Sequence, residues 1–161
     1  MKIITLTNGH ETIVDDEDYA WLNQWKWYAK KDGNTFYAVR QERENQQYKT
    51  ILMHRQILGL GEGKLTDHMN RDGLDNRRSN LRACTRSQNA MNQCRQKGCP
   101  SRFKGVTWHK GVGKWQARIT ASGNCTYLGL YDTEEEAALV YNRAALECFG
   151  EFACLNEEVA M

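Results

Sequence analysis

Proline occurs once in the chain, at Pro100. No apolar run reaches the roughly 18 residues that a membrane-crossing helix needs. The opening stretch "MKIITLTNGHETIVDDEDY" has no apolar segment behind a basic start, so no secretory signal and a cytoplasmic location are expected. The six cysteines (Cys84, Cys94, Cys99, Cys125, Cys148 and Cys154) contain no C-x2-C pair. That spacing argues against structural zinc and, without export, for reduced thiols over a disulfide framework. Hydrophobic content is 40% over 161 residues, enough for one compact domain or two small ones but not for one large core.

Net charge is also low, at +2, but its distribution is uneven. Lys64 to Lys110 carries eleven basic and three acidic residues, a local +8, whereas residues 132 to 161 carry one basic and eight acidic, or −7. A basic block of this kind suits a polyanion, because Lys and Arg that neutralise phosphates release condensed counterions. A solvated, salt-bridged face explains the same block equally well.

Three segments are expected: an N-terminal β-rich scaffold (1–60), a polar central stretch (61–97) and a C-terminal sheet with one helix (98–161). In the first, "KIITLT" and "TFYAVRQ" alternate as strands do, and the four acidic residues opening "DDEDYAWLNQWKWYA" suit a helix N-terminus. Trp21, Trp25 and Tyr28 recur at helical spacing, which predicts one buried helix face. "NQCRQKGCPSRF" reads as a linker. After it, "FKGVTWHK", "KWQARITAS" and "CTYLGLYD" predict a three-stranded antiparallel meander. "TEEEAALVYNRAALECFG" predicts a helix with a Thr133–Glu136 capping box and Gly150 past its end. Ala137, Tyr141, Ala144, Ala145 and Cys148 would share its packed face.

The polar stretch "TDHMNRDGLDNRRSNLR" has little to bury. Leu65 and the Asn70–Gly73 turn fit a strand entering a hairpin, with Asp67 and His68 at the strand end and a helix beginning near Asp75. On such a helix Asn76 and Asn80 lie one turn apart on one face. Oxygen donors from Asp67 and Asn80 suit a hard divalent cation that keeps its waters, magnesium or manganese, while His68 can deprotonate a water. Phosphodiester hydrolysis needs those parts: a Lewis acid for developing charge and a base for the nucleophile.

Preceded by "LMHRQIL", this stretch resembles the HNH family of homing endonucleases. The resemblance implies a ββα-metal fold, in which a hairpin and a helix grip one divalent ion. It makes His68 the general base, Asn76 the residue that orients it, and Asp67 and Asn80 the metal ligands, in an H-N-N variant of the motif. Arg71, Arg77, Arg78, Arg82 and Arg86 would grip the DNA backbone. His54 in "MHR" is read as an anchor of a scaffold helix, with a second active-site role as the alternative.

Residues 102–156 resemble the Apetala-two/ethylene-response-factor DNA-binding domain through "FKGVTWHKGVGKWQARI", "YLGLYDTEEEAALVYNRAA" and "FGEFACLN". In that family a three-stranded sheet lies in the major groove of duplex DNA. The contacting positions become Lys104, Thr107, His109, Arg118, Thr120 and Tyr127, with Tyr141 on the helix. HNH segments joined to such a domain occur in phage genomes, which would place the protein in the host cytoplasm. The expected whole is an α+β, metal-dependent endonuclease acting on double-stranded DNA. A DNA-binding regulator with an inactive nuclease unit is the alternative, and an RNA-binding or structural module a further one.

Overall fold

Alternating stretches at the N-terminus pair as an antiparallel hairpin, β1 (Lys2–Thr5) with β2 (Glu11–Val14). The computed structural model describes residues 1–61, 63–95 and 98–159. Helix α1 (Asp16–Leu22) follows, its first turn carrying Asp16, Glu17 and Asp18 against the positive end of the helix dipole. Strands β3 (Tyr28–Asp32), β4 (Thr35–Glu44) and β5 (Gln47–Leu52) then form a meander in that order. Helix α2 (Met53–Leu58) ends at Gly59 in the left-handed conformation. Strand β6 (Leu65–His68) pairs with β7 (Leu81–Cys84) across a long turn, and α3 (Arg86–Asn92) follows β7 directly.

The chain divides into two compact units, Met1–Asn89 and Ala90–Met161. The linker expected at 92–103 includes residues 96 and 97, which lie outside the described residues. In the first unit, Ile4, Leu6, Val14, Leu22, Trp27 and Met53 form the centre of the core. The helical face expected from Trp21, Trp25 and Tyr28 does not form, because α1 stops at Leu22 and Tyr28 opens β3. Trp27 is the fully buried aromatic, its indole N–H donating to Leu22 O at 2.8 Å, while Trp21 and Trp25 pack at the edge of the core.

The second unit carries β8 (Val106–His109), β9 (Lys114–Ala121) and β10 (Asn124–Tyr131) as a sheet in the order β10-β9-β8, and α4 (Glu134–Phe149). The capping box is complete: Thr133 Oγ1 accepts from the Glu136 N–H, and the Glu136 carboxylate accepts from the Thr133 N–H. Small side chains let α4 lie close to the sheet, with Ala137, Ala138, Tyr141 and Ala145 buried. Cys148, expected on that face, is exposed, and the bulkier Phe149 takes the core position. The close approach is sharpest at Gly105, which has φ +76°. A Cβ there would penetrate the Tyr141 ring and press on Arg118 O. The chain is thus α+β, built from several small antiparallel sheets and few helices.

Gly105→Ala should destabilise the protein by about 2 kcal/mol or more, from positive-φ strain and overpacking. Thr133→Ala should cost about 1 kcal/mol through the lost cap. Denaturant unfolding followed by circular dichroism checks both, and an unchanged midpoint for Gly105→Ala would contradict the packing described.

Candidate functional site

The β6–β7 hairpin places Asp67 opposite Arg82 and His68 opposite Leu81, and both Asp67 and His68 are buried. Arg82 donates from Nε and Nη2 to the same Asp67 oxygen, Oδ2, at 2.9 and 2.7 Å. The connection from Met69 to Asn80 contains no α-helix. The helix expected near Asp75 is replaced by an extended stretch and a short 3-10 turn, Arg78–Asn80. The reason is that its backbone is already engaged. Ile13 of β2 donates its N–H to Leu74 O at 2.9 Å and accepts from the Asn76 N–H at 2.8 Å, a parallel bridge between Ile13 and Asp75.

Side chains complete that anchorage. Thr12 Oγ1 donates to Leu74 O at 2.6 Å and accepts from Asn76 Nδ2 at 2.7 Å. Arg78 pairs with the buried Asp18 through two 2.7 Å bonds, and its N–H donates to Asp15 Oδ2 at 2.7 Å. Arg77 chelates Asp75 at 2.7 and 2.6 Å, which holds that carboxyl below the usual carboxylate range. Asn80 works inside the turn: its Oδ1 accepts from the Asn70 N–H, and its Nδ2 donates to Asn70 Oδ1 and Asp75 O. Its amide is therefore engaged at both ends, where a metal ligand had been expected.

His68 stands where these contacts converge. Its Nε2 lies 3.3 Å from Asn76 Oδ1, and Asn76 is fully buried. The rings of His54 and Tyr37 pack on His68 at centroid distances of 4.9 and 5.7 Å, and on each other at 5.3 Å. Burial lowers the His68 pKa below its ordinary value, against the opposing pull of Asn76, Asp67, Asp72 and Asp75. Burial, helped by His68 and Arg55, brings His54 down to about 3. Both imidazoles are neutral at neutral pH, and a neutral imidazole can take a proton from water.

Sequence reasoning missed Thr12 and Tyr37, which carry no local motif, and set His54 on a scaffold helix. It does sit on α2, with its ring against His68. Helix α3, directly after β7, carries Asn89, whose side-chain amide has no hydrogen-bond partner among the described residues. The arginines expected on phosphates lie differently: Arg77, Arg78 and Arg82 are each paired with a carboxylate, Arg71 is half-buried with φ +67°, and Arg86 is exposed at the start of α3.

In the second unit, strand alternation divides the meander into two faces. Ala117 and Ile119 enter the core, whereas Arg118 and Thr120 point away from it. Thr107 opposite Gln116, His109 opposite Lys114 and Tyr127 opposite Arg118 fall on that outer face. Five of the expected contact residues, Thr107, His109, Arg118, Thr120 and Tyr127, thus share one surface. Lys104 and Tyr141 do not. Lys104 Nζ donates to Met91 O at 2.6 Å, and Tyr141 is 2% exposed beneath Gly105, a packing position that cannot touch a groove.

Comparison with known proteins bears on the family of each unit. The model of the HNH endonuclease family matches residues 48–91, from β5 through the hairpin into α3. An uncharacterized HNH endonuclease of Acanthamoeba polyphaga mimivirus is 34% identical over 155 residues, covering 92% of this chain and 76% of the viral protein. An APETALA2-like protein of Oryza sativa is 48% identical over 62 residues, 37% of this chain but only 14% of the plant protein. An ethylene-responsive transcription factor of Arabidopsis thaliana is 44% identical over a segment of the same length. No solved structure matches. With a viral relative matched over most of both chains and the family match over the hairpin that carries Asp67 and His68, this chain belongs to the HNH endonuclease family.

Proposed function

We propose that the chain is a metal-dependent nuclease that hydrolyses phosphodiester bonds in duplex DNA, of the homing type, with His68 as general base. The observation that carries this reading is the buried, neutral His68, held by Asn76 and adjacent to Asp67 at the end of a hairpin inside the family-matched segment. A hydrated divalent ion such as magnesium or manganese needs only one or two protein oxygens. Asp67 offers a carboxylate and Asn89 an amide oxygen. Hairpin β6–β7 followed by α3 supplies the ββα order of elements. Asn89 is preferred to Asn80 in this assignment, because the Asn80 amide already bonds Asn70 and Asp75 inside the turn. When bound, the ion supplies Lewis-acid stabilisation of charge on the phosphate and leaving oxygen.

The remaining chemistry belongs to the chain. His68 takes the proton of the attacking water, Asn76 holds the imidazole from its edge, and Arg82 fixes the Asp67 carboxylate beside it. The carboxylates of Asp67, Asp72 and Asp75 favour the imidazolium that forms. Recognition falls to the outer sheet face of the second unit, where Thr107, His109, Arg118, Thr120 and Tyr127 line up as groove readers would. The likeness to plant APETALA2-like proteins supports this assignment.

His68→Ala should lower cleavage of supercoiled plasmid on the order of 10²-fold or more with DNA affinity unchanged. Undiminished cleavage by the purified variant would remove the base assignment. Since burial lowers the His68 pKa, the base is available above that pKa and lost as pH falls through it, so the acid limb of the rate profile should lie below pH 6.5.

Asp67→Ala and Asn89→Ala should each weaken cleavage, with partial rescue by added magnesium or manganese, while Asn80→Ala should lower thermal stability and show no such rescue. Isothermal titration of the metal into each variant separates the two classes. Weakened metal binding in Asn80→Ala alone would restore Asn80 as the ligand.

Arg118→Ala should cost roughly 1–3 kcal/mol of affinity on the cognate duplex if the guanidinium reads a guanine edge. A phosphate contact would instead weaken all duplexes alike and flatten the salt dependence. Titrations of the full chain at several salt concentrations read the difference, and unchanged binding to every duplex would remove the sheet face from recognition.

A further inference from the structure

The proton inventory of the Thr12–Asn76–His68 chain has one solution. Thr12 has a single hydroxyl proton, and at 2.6 Å it is committed to Leu74 O, which can only accept. Thr12 Oγ1 must therefore accept from its other neighbour, so the Asn76 atom 2.7 Å away is the amide nitrogen. The opposite amide orientation would press two acceptor oxygens together in a site where Thr12 and Asn76 are both 0% exposed. With its nitrogen on Thr12, Asn76 turns Oδ1 toward His68 Nε2 at 3.3 Å. An amide oxygen cannot donate, so the ring nitrogen facing it carries the hydrogen. In neutral His68 the lone pair then resides on Nδ1.

We infer that Thr12, 56 residues before the histidine and on the N-terminal hairpin, is a positioning residue for the nuclease reaction: its hydroxyl sets the Asn76 amide, and the amide fixes His68 in the Nε2–H tautomer with Nδ1 as the basic atom. This deepens the general-base reading and rests on it for its catalytic consequence, but the tautomer itself is a ground-state property. The backbone of the turn is held separately, by Ile13 on Leu74 and Asn76. Loss of the hydroxyl therefore frees the amide to rotate without releasing the turn.

The test is imidazole nitrogen NMR on the whole 161-residue chain, with the His68 signals among the four histidines assigned by their loss in His68→Ala. Wild type and Thr12→Ser, which keeps the hydroxyl, should show the Nε2–H form and cleave alike. Thr12→Val, which keeps the shape, should populate the Nδ1–H form and lose turnover on the order of tenfold or more, with DNA affinity within about twofold. Should Thr12→Val fail to fold, Thr12→Cys, with weaker hydrogen bonds, is read in the same way. A wild-type spectrum dominated by Nδ1–H overturns the inference, as does loss of turnover in Thr12→Val with an unchanged tautomer, or no change in either. Full cleavage by His68→Ala would instead remove the base role proposed above while leaving the tautomer result standing, because the NMR measurement involves no turnover.

Discussion

The capture of Leu74–Asn76 by Ile13 is the contact on which the rest of the first unit depends. Without it, the connection from β6 to β7 is a long polar turn with almost nothing to bury. With it, the turn becomes a third strand-like edge laid against β2, and its side chains acquire fixed directions. Thr12 and Asn76 can then be fully buried because each hydrogen-bonding group they bring in finds a partner. An unmatched polar group at such a position costs about 1–3 kcal/mol, so the network is stable only when complete. The Arg78–Asp18 pair clamps the far end of the same turn to α1. The N-terminal scaffold is therefore part of the site, since it shapes the segment that holds His68.

The two units solve different physical problems. The first holds a polar constellation still, and does so with side-chain hydrogen bonds and ion pairs that reach across tens of residues. The second presents one strand face to the outside, and for that it needs a close-packed back. Alanines on α4, Gly105 against Tyr141 and a complete capping box supply it. Arg118 and Tyr127 stand opposite each other on the outer face because Ala117 and Ile119 are drawn into the core on the other.

What could be read from the sequence follows the range of the interactions involved. Helix α4, the β8–β10 meander and the strand carrying Asp67 and His68 are set by periodicity, caps and turns within a few residues, and these were legible. The stretch from Asp75 was not. Its backbone donors and acceptors go to Ile13, some 60 positions away, and a helix reading assumed they would be satisfied locally. The same distance hid Thr12. Asn80, read as a metal ligand, also bonds Asn70 and Asp75 within the turn, contacts that follow from a turn geometry the helix reading did not contain. Lys104 and Tyr141 matched a family pattern by position, but Met91 O and Gly105 decide what those side chains touch. Trp27 outranked Trp25 as the buried ring because α1 ends at Leu22, whose carbonyl accepts the Trp27 indole N–H.

The surroundings of His68 are arranged for the charge it acquires. Accepting a proton turns a buried neutral ring into a cation, a change that burial alone opposes. Asp67, Asp72 and Asp75 favour the cation, and the Asn76 oxygen favours it too, since it accepts from an N–H that becomes more acidic. The ring in T-shaped contact with His68 is another imidazole, which would oppose the change if it were itself charged. His54 stays neutral down to about pH 3, so it offers His68 a polarisable ring surface and no competing positive charge. Its own Nδ1 is buried without a hydrogen-bond partner among the described residues, a cost that an aliphatic side chain would avoid. A histidine at that position is therefore poorly explained by stability. Its ring and that of Tyr37 instead pack on the base, at centroid distances of 4.9 and 5.7 Å, and so help fix where the imidazole sits.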